Sequence, residues 1–332
     1  MPAGYLQLSP GELDARADAA YAMYGECGVC PHTCGVDRTR GETGFCGQGD
    51  RLLISSCVQH FGEEIPLTGT CGVGNIFVAS CNMRCDYCQN HLISQERLGQ
   101  EQSYAAVAGE MLRLQGLGVH FIGWVSPSHV VPGLLKSLAR ARRKGLRLPI
   151  IYNTSAFDSL SSLKLLEGVV DIYLPDLKYA DDAAARQFSH VKNYVERSRE
   201  AALEMFRQVG PLTRDATGLA RRGLIVRHLV LPNKLAGTWE TLCFLALELS
   251  PKIPLSLMGQ YQPVHRASVN PLLSRAITLH EYEEAVEMAQ GLGFETIFIQ
   301  DLRNDLHNLP DFRSAADPFP MRKAHNFSGM KV

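Results

Sequence analysis

From residue 75 onward, short apolar runs alternate with helical patterns, and no other feature restricts the fold as much. The runs are NIFVAS (75–80), FIGWVS (121–126), PIIYNTS (149–155), VVDIYLPDL (169–177), LIVRHLVLP (224–232), PLSLMGQYQP (254–263) and TIFIQD (296–301). Most are nearly all apolar, as a strand covered on both faces must be. The stretches between them carry helical spacing. They include a long charged region over about 181–209 and a capping box, Thr278 with Glu281, ahead of HEYEEAVEMAQGLG. Repeated strand–helix units build a parallel sheet covered by helices. The expectation is an α/β chain whose residues 75–302 form a partial (β/α)6 TIM-like barrel. A doubly wound sheet is the rival, because strand order is not written in the sequence. Either architecture gathers functional groups at the C-terminal ends of its strands.

The flanks read differently. Residues 1–74 offer one helix, at about 10–24, and then a segment rich in Gly and Cys with little periodicity. This segment is expected to be an N-terminal extension held together partly by metal. Residues 303–332 show no clear element and are expected to form a C-terminal tail. A net charge of −1 over 332 residues gives no basic surface for nucleic acid or an anionic membrane. No apolar run approaches the ~18 residues of a membrane span, and the N-terminus lacks the apolar core of a signal peptide. A cytoplasmic protein is expected. In that compartment ten cysteines, nine of them between Cys27 and Cys88, read as metal ligands or redox groups rather than disulfides.

Three of these thiols follow the first apolar run directly: SCNMRCDYC holds Cys81, Cys85 and Cys88, spaced C-x3-C-x2-C. A structural zinc site wants four closed ligands, and a ferredoxin run has a different spacing. Three thiolates on one loop can hold three irons of a [4Fe–4S] cluster and leave the fourth iron open, as a catalytic metal site requires.

This motif, with Tyr87 as the aromatic before the last cysteine, resembles the signature of the radical S-adenosylmethionine (SAM) superfamily. The wider sequence, through YNTSAFDS, DIYLPDLKY and VRHLVLP, is similar to the pyruvate formate-lyase-activating-enzyme-like subgroup with an N-terminal cysteine segment, over roughly 20–300. The resemblance implies a [4Fe–4S] cluster at Cys81, Cys85 and Cys88, with SAM chelating the open iron. It implies one-electron cleavage of SAM to methionine and a 5′-deoxyadenosyl radical that abstracts a substrate hydrogen atom. Tyr87 would lie near the adenine. Asp176 and Lys178, in PDLK, match the family's D-x-K and would take a ribose hydroxyl and the SAM carboxylate. Polar groups at Asn153, Thr154 and Ser155 would also contact SAM, Thr154 foremost. The family's Gly-Gly-Glu after the second strand is absent: the segment reads WVSPSHVVP, leaving Ser126, Ser128 or His129 as substitutes. A flavodoxin- or ferredoxin-type reductant is the expected partner, together with a protein or small-molecule substrate.

Other groups are read from the residues alone. Arg227 and His228 are adjacent on an apolar strand, so one should face the site and the other the helices. His228 is carried as a candidate cofactor contact, with a core histidine as the alternative. Gln260 and Tyr261 are weaker candidates of the same kind. Cys27, Cys30, Cys34 and Cys46, spaced C-x2-C-x3-C-x11-C, form a complete ligand set for an auxiliary [4Fe–4S] cluster or a zinc ion. His32 lies inside that loop, where a role behind the ligands is expected. Cys57, Cys71 and Cys243 read as free thiols, and Glu63 and Glu64 as a solvated turn. Three functions fit: a radical enzyme, a two-cluster electron carrier, or a zinc-stabilised binding module. Polar residues at successive strand ends favour the first.

Overall fold

The structure, a computed structural model, describes residues 2–300 and 302, residues 309–314 and 316–319, and the backbone of 327–331. It is a mixed α/β chain. The strands are β1 (Leu52–His60), β2 (Val73–Val78), β3 (Gln100–Gln102), β4 (Phe121–Val125), β5 (Ile150–Thr154), β6 (Ile172–Pro175), β7 (Thr213–Arg214), β8 (Ala220–Leu224), β9 (Val226–Leu229), β10 (Leu255–Met258), β11 (Thr296–Gln300) and β12 (Phe327–Lys331). One sheet runs β3-β1-β2-β4-β5-β6-β8-β7, and a second runs β12-β11-β10-β9. From β2 through β6, and from β9 through β11, neighbouring strands are parallel. A parallel bridge between Asp176 and Arg227 joins the two sets just past the end of β6.

The parallel strands are apolar because both faces are covered. Outward residues such as Ile76, Ile122, Tyr152, Tyr173 and Leu255 share one core with the helices. Inward residues Val73, Phe121, Ile151, Ile172 and Phe298 form another, with Leu67 among them. The sheet is curled. Asn75 of β2 and Arg227 of β9 bind the same Glu63 carboxylate, although β4, β5 and β6 lie between those strands. At about 4.8 Å per strand, a flat sheet would hold them roughly 19 Å apart.

Three expectations change. Residues 52–60, read as irregular, form the longest strand and pair antiparallel with β2, so the expected boundary at 74 falls inside one continuous sheet. The single run 224–232 is split: Leu224 ends β8, which starts at Ala220, and β9 covers only 226–229, with Gly223 at φ 136° just before the break. The charged region 181–209 is two helices, Asp182–Ser189 and Tyr194–Val209, separated by His190 and Asn193 in the left-handed conformation. The first helix, Pro10–Ala22, is capped by the Ser9 hydroxyl, and the box of Thr278 with Glu281 is formed as read. In the described part of the tail, Phe312 and Phe319 pack against Phe77, with ring centres 5.2 and 5.5 Å away. No helix among the described residues is long and apolar enough to cross a membrane.

Candidate active site

The loop after β2 starts with a forced turn. Ser80 takes a left-handed φ of 67°, which a non-glycine residue adopts only under constraint. Ser126 after β4 (φ 57°) and Ala156 after β5 (φ 60°) do the same. Three successive strand ends thus spend conformational energy at one mouth, a pattern typical of functional sites.

Cys81, Cys85 and Cys88 line a cavity at this mouth, together with Tyr87, Ser126, Asn153, Asp176, Lys178 and Arg227 among others. Each sulfur meets a polar neighbour. The Met83 amide donates to Cys81 Sγ at 3.3 Å, the Ser189 hydroxyl to Cys85 Sγ at 3.0 Å, and Ser94 Oγ lies 3.2 Å from Cys88 Sγ. Burial pushes the Cys81 thiol up to about 12 and the Cys85 thiol up to about 11, with Lys178 opposing the rise in both. As free thiols they are neutral, so binding a metal would release their protons. Among the described residues, no three His, Cys, Asp or Glu side chains close around a point as a single metal ion requires. Three soft thiols around an open cavity suit a cluster's spread corners better than one small ion.

Period-two alternation decides which strand-end residues face the cavity. Asp176 and Lys178 are two apart and share the inner face. Lys178 Nζ donates to Asp176 Oδ2 at 2.9 Å, while Asp176 Oδ1 is buried with no partner. An acceptor left open in this way fits a ligand hydroxyl. Burial works against the Lys178 ammonium, but Asp176 and Cys85 outweigh it and raise the group above its ordinary value. The Tyr194 hydroxyl braces this corner: it receives the Lys178 amide at 2.9 Å and sits 2.9 Å from the Ser155 carbonyl. Tyr87 is buried against Tyr261, with ring centres 5.7 Å apart.

The same alternation redirects two expectations. Asn153 faces inward, while Thr154 also borders the cavity but has its hydroxyl bonded on the outer side. The Thr154 hydroxyl donates to Asp158 Oδ2 at 2.6 Å and lies 2.9 Å from Ser128 Oγ, and the Tyr152 hydroxyl takes the other Asp158 oxygen. Thr154 and Ser128 are therefore occupied with each other and with Asp158. His228 also points outward. Its Nδ1 lies 2.8 Å from the Leu177 carbonyl and its Nε2 3.0 Å from Thr238 Oγ1, and burial lowers it to about 4. It is the core-histidine alternative that the geometry matches. His129 is likewise buried, 3.0 Å from Gln48 Nε2. Of the substitutes for Gly-Gly-Glu, Ser126 alone lines the cavity.

Arg227 is the inward residue of its pair. Its Nε and Nη2 grip Glu64 at 2.8 and 2.7 Å, and Nη2 also meets Glu63, which receives Asn75 Nδ2 at 2.7 Å. Glu63 and Glu64 are thus buried ion partners and not a solvated turn. Burial pushes the Glu63 carboxyl up, but Arg227, His60 and Asn75 outweigh it and hold it below the usual carboxylate range. The partner is 163 residues away in the chain, so only the oddity of an arginine inside an apolar strand hinted at the triad.

No family model matches the chain. An uncharacterised protein of Methanocaldococcus jannaschii is 28% identical over 301 residues, covering 88% of this chain and 82% of that protein. SuiB of Streptococcus suis, solved with its precursor peptide SuiA, aligns at a TM-score of 0.43 and 12% identity over 63% of this chain. The chain spans only 43% of SuiB. A radical SAM methyltransferase of Sphaerobacter thermophilus aligns at a TM-score of 0.45 and 12% identity, covering 66% of this chain and 64% of that enzyme. SuiB has also been solved with S-adenosylmethionine bound.

Proposed function

We propose that this chain is a radical SAM enzyme whose partial (β/α)6 barrel carries its cofactors at the C-terminal strand ends. The observation that carries the reading is the meeting of three cysteines with an open acceptor and an ammonium on one inner face. In this reading Cys81, Cys85 and Cys88 hold a [4Fe–4S] cluster by three irons. When bound and reduced, the cluster supplies the electron that splits SAM into methionine and a 5′-deoxyadenosyl radical.

The chain's own groups orient the cofactor. Lys178 pairs with the SAM carboxylate, exchanging part of its contact with Asp176 for the ligand. Asp176 Oδ1 accepts a ribose hydroxyl, a bond it lacks within the protein. Asn153 and Ser126 supply polar contacts from β5 and β4, and the buried Tyr87 lies on the adenine side. The substrate is a protein glycine, as in the activating-enzyme-like subgroup, or a smaller molecule. A flavodoxin- or ferredoxin-type protein delivers the electron. Anaerobic reconstitution, followed by dithionite and SAM, tests the reading through 5′-deoxyadenosine. A Cys85→Ala variant should make none, and undiminished cleavage by it would refute the ligand assignment.

A further inference from the structure

Arg38 is a cation sealed from water, at 1% exposure. Its Nε and Nη2 donate to the Gly49 carbonyl at 2.9 and 2.6 Å, and Nη1 to the His129 carbonyl at 2.7 Å. The guanidinium lies 4.0 Å from the centre of the Tyr24 ring. Among the described residues it makes no ion pair with a carboxylate, unlike Arg227, which has two. An unpaired buried charge costs several kcal/mol. The ionisable groups facing it are Tyr24, Tyr104, the buried His129 ring and two thiols: Cys27 Sγ is 3.9 Å from Nη1, and Cys46 is the other. A neutral thiol does little for a cation. A thiolate carries a full charge, and a buried thiol stays a thiolate when a metal holds it.

The rest of the segment suits such a centre. Cys46, Cys27 and Cys34 all lie within electrostatic reach of Cys30, so the four thiols gather in one place. The Phe45 amide donates to Cys34 Sγ at 3.4 Å, as backbone amides do around cluster sulfurs. Gly44 has no room for a side chain, because a Cβ there would stand 2.5 Å from Cys34 Sγ. Among the described residues, no three His, Cys, Asp or Glu side chains group tightly enough for a single metal ion. The segment also forms a wall of the site described above. His32 Nε2 lies 2.8 Å from the Asn82 carbonyl, inside the Cys81–Cys88 loop, and Gln48 donates to the Ala79 carbonyl.

We propose that Cys27, Cys30, Cys34 and Cys46 hold a second [4Fe–4S] cluster, and that Arg38 is its buried counter-charge. Arg38 is a positioning residue that tunes the cluster's potential. Reduction by dithionite adds one electron, taking the cluster from the 2+ to the 1+ state, and a cation alongside favours that added negative charge. None of this requires SAM cleavage, so it stands or falls separately from the function proposed above.

The test uses the full chain with Cys81, Cys85 and Cys88 changed to Ala, reconstituted anaerobically with iron and sulfide. About four irons and four sulfides per chain are expected, with a paramagnetic signal after dithionite. One zinc and no iron after aerobic purification and reconstitution would overturn the cluster, as would no bound metal. In the same background, Arg38→Gln should move the midpoint potential to a more negative value, while Arg38→Lys should leave it close to the parent. An unchanged potential in Arg38→Gln would overturn the counter-charge. If Arg38→Gln cannot hold the cluster, Arg38→Lys decides: four irons retained supports the charge, and equal loss refutes it.

Discussion

Lys178 and Asp176 form an ion pair, yet their free valences differ. The ammonium is already served by the carboxylate, whereas Asp176 Oδ1 waits for a donor. Removing the ammonium should weaken SAM binding more than it alters the fold. Lys178→Met is expected to raise the KM for SAM by about 10-fold or more, on the scale of a charge-assisted hydrogen bond, with secondary structure by circular dichroism unchanged. Arg227 is the opposite case, because its partners are internal. Arg227→Met leaves two buried carboxylates without a cation and should cost about 3–5 kcal/mol in urea unfolding at pH 7. The pH dependence of that loss has a defined sign. In the parent, Glu63 is held low, so its contribution is present above the unfolded value of about 4.3 and is lost as pH falls through the folded one. Without Arg227, the largest lowering influence is gone, burial is opposed only by His60 and Asn75, and the carboxyl rises. The deficit of Arg227→Met should then shrink as pH drops from 7 towards 5, and a constant deficit would contradict the pairing. His228 gives a third test. Burial lowers it from 6.5 to about 4, so below about 6.5 the unfolded state takes up a proton that the folded ring refuses. Stability should fall between pH 6.5 and 4 by about 3 kcal/mol on this group's account, and His228→Gln should flatten that slope.

At the scale of elements, strands were legible where both faces are buried and obscure where they are not. The runs at 75–80, 121–126 and 149–155 are mostly apolar, and each holds a strand. β1 escaped notice because its burial alternates at first and then stays partial, leaving Ser55, Ser56, Cys57 and Gln59 in the run. Alternation was visible in the sequence but not its phase. That is why Asn153 and Thr154 could be named together, and both border the cavity, while only the structure shows that the Thr154 hydroxyl is already taken by Asp158. Breaks set by backbone conformation, at His190 and Asn193, carry no strong sequence mark, since neither is glycine. Capping chemistry is local, and the box at Thr278 was legible: Glu281 returns its carboxylate to the Thr278 amide at 2.8 Å. Thr278→Ala should lower stability by about 1 kcal/mol, seen as a shifted urea midpoint with SAM-site behaviour untouched.

The whole molecule brings together groups that sequence distance keeps apart. Cys81 follows β2, Asp176 follows β6 and Arg227 lies in β9, and a curled sheet sets all three around one cavity. The triplet motif and D-x-K were readable because each is contiguous. The Glu63–Glu64–Arg227 triad and the burial of Arg38 were not, because they exist only once the sheet has curled and the N-terminal segment has docked on it. The cysteine-rich segment is likewise part of this body, joined through β1 and through His32 to Asn82. The most direct measurement is of SAM cleavage by the anaerobically reconstituted full chain with dithionite. The arrangement described here predicts 5′-deoxyadenosine and methionine in equal amounts, lost in Cys85→Ala. An intact cluster that binds SAM yet yields no 5′-deoxyadenosine would contradict it.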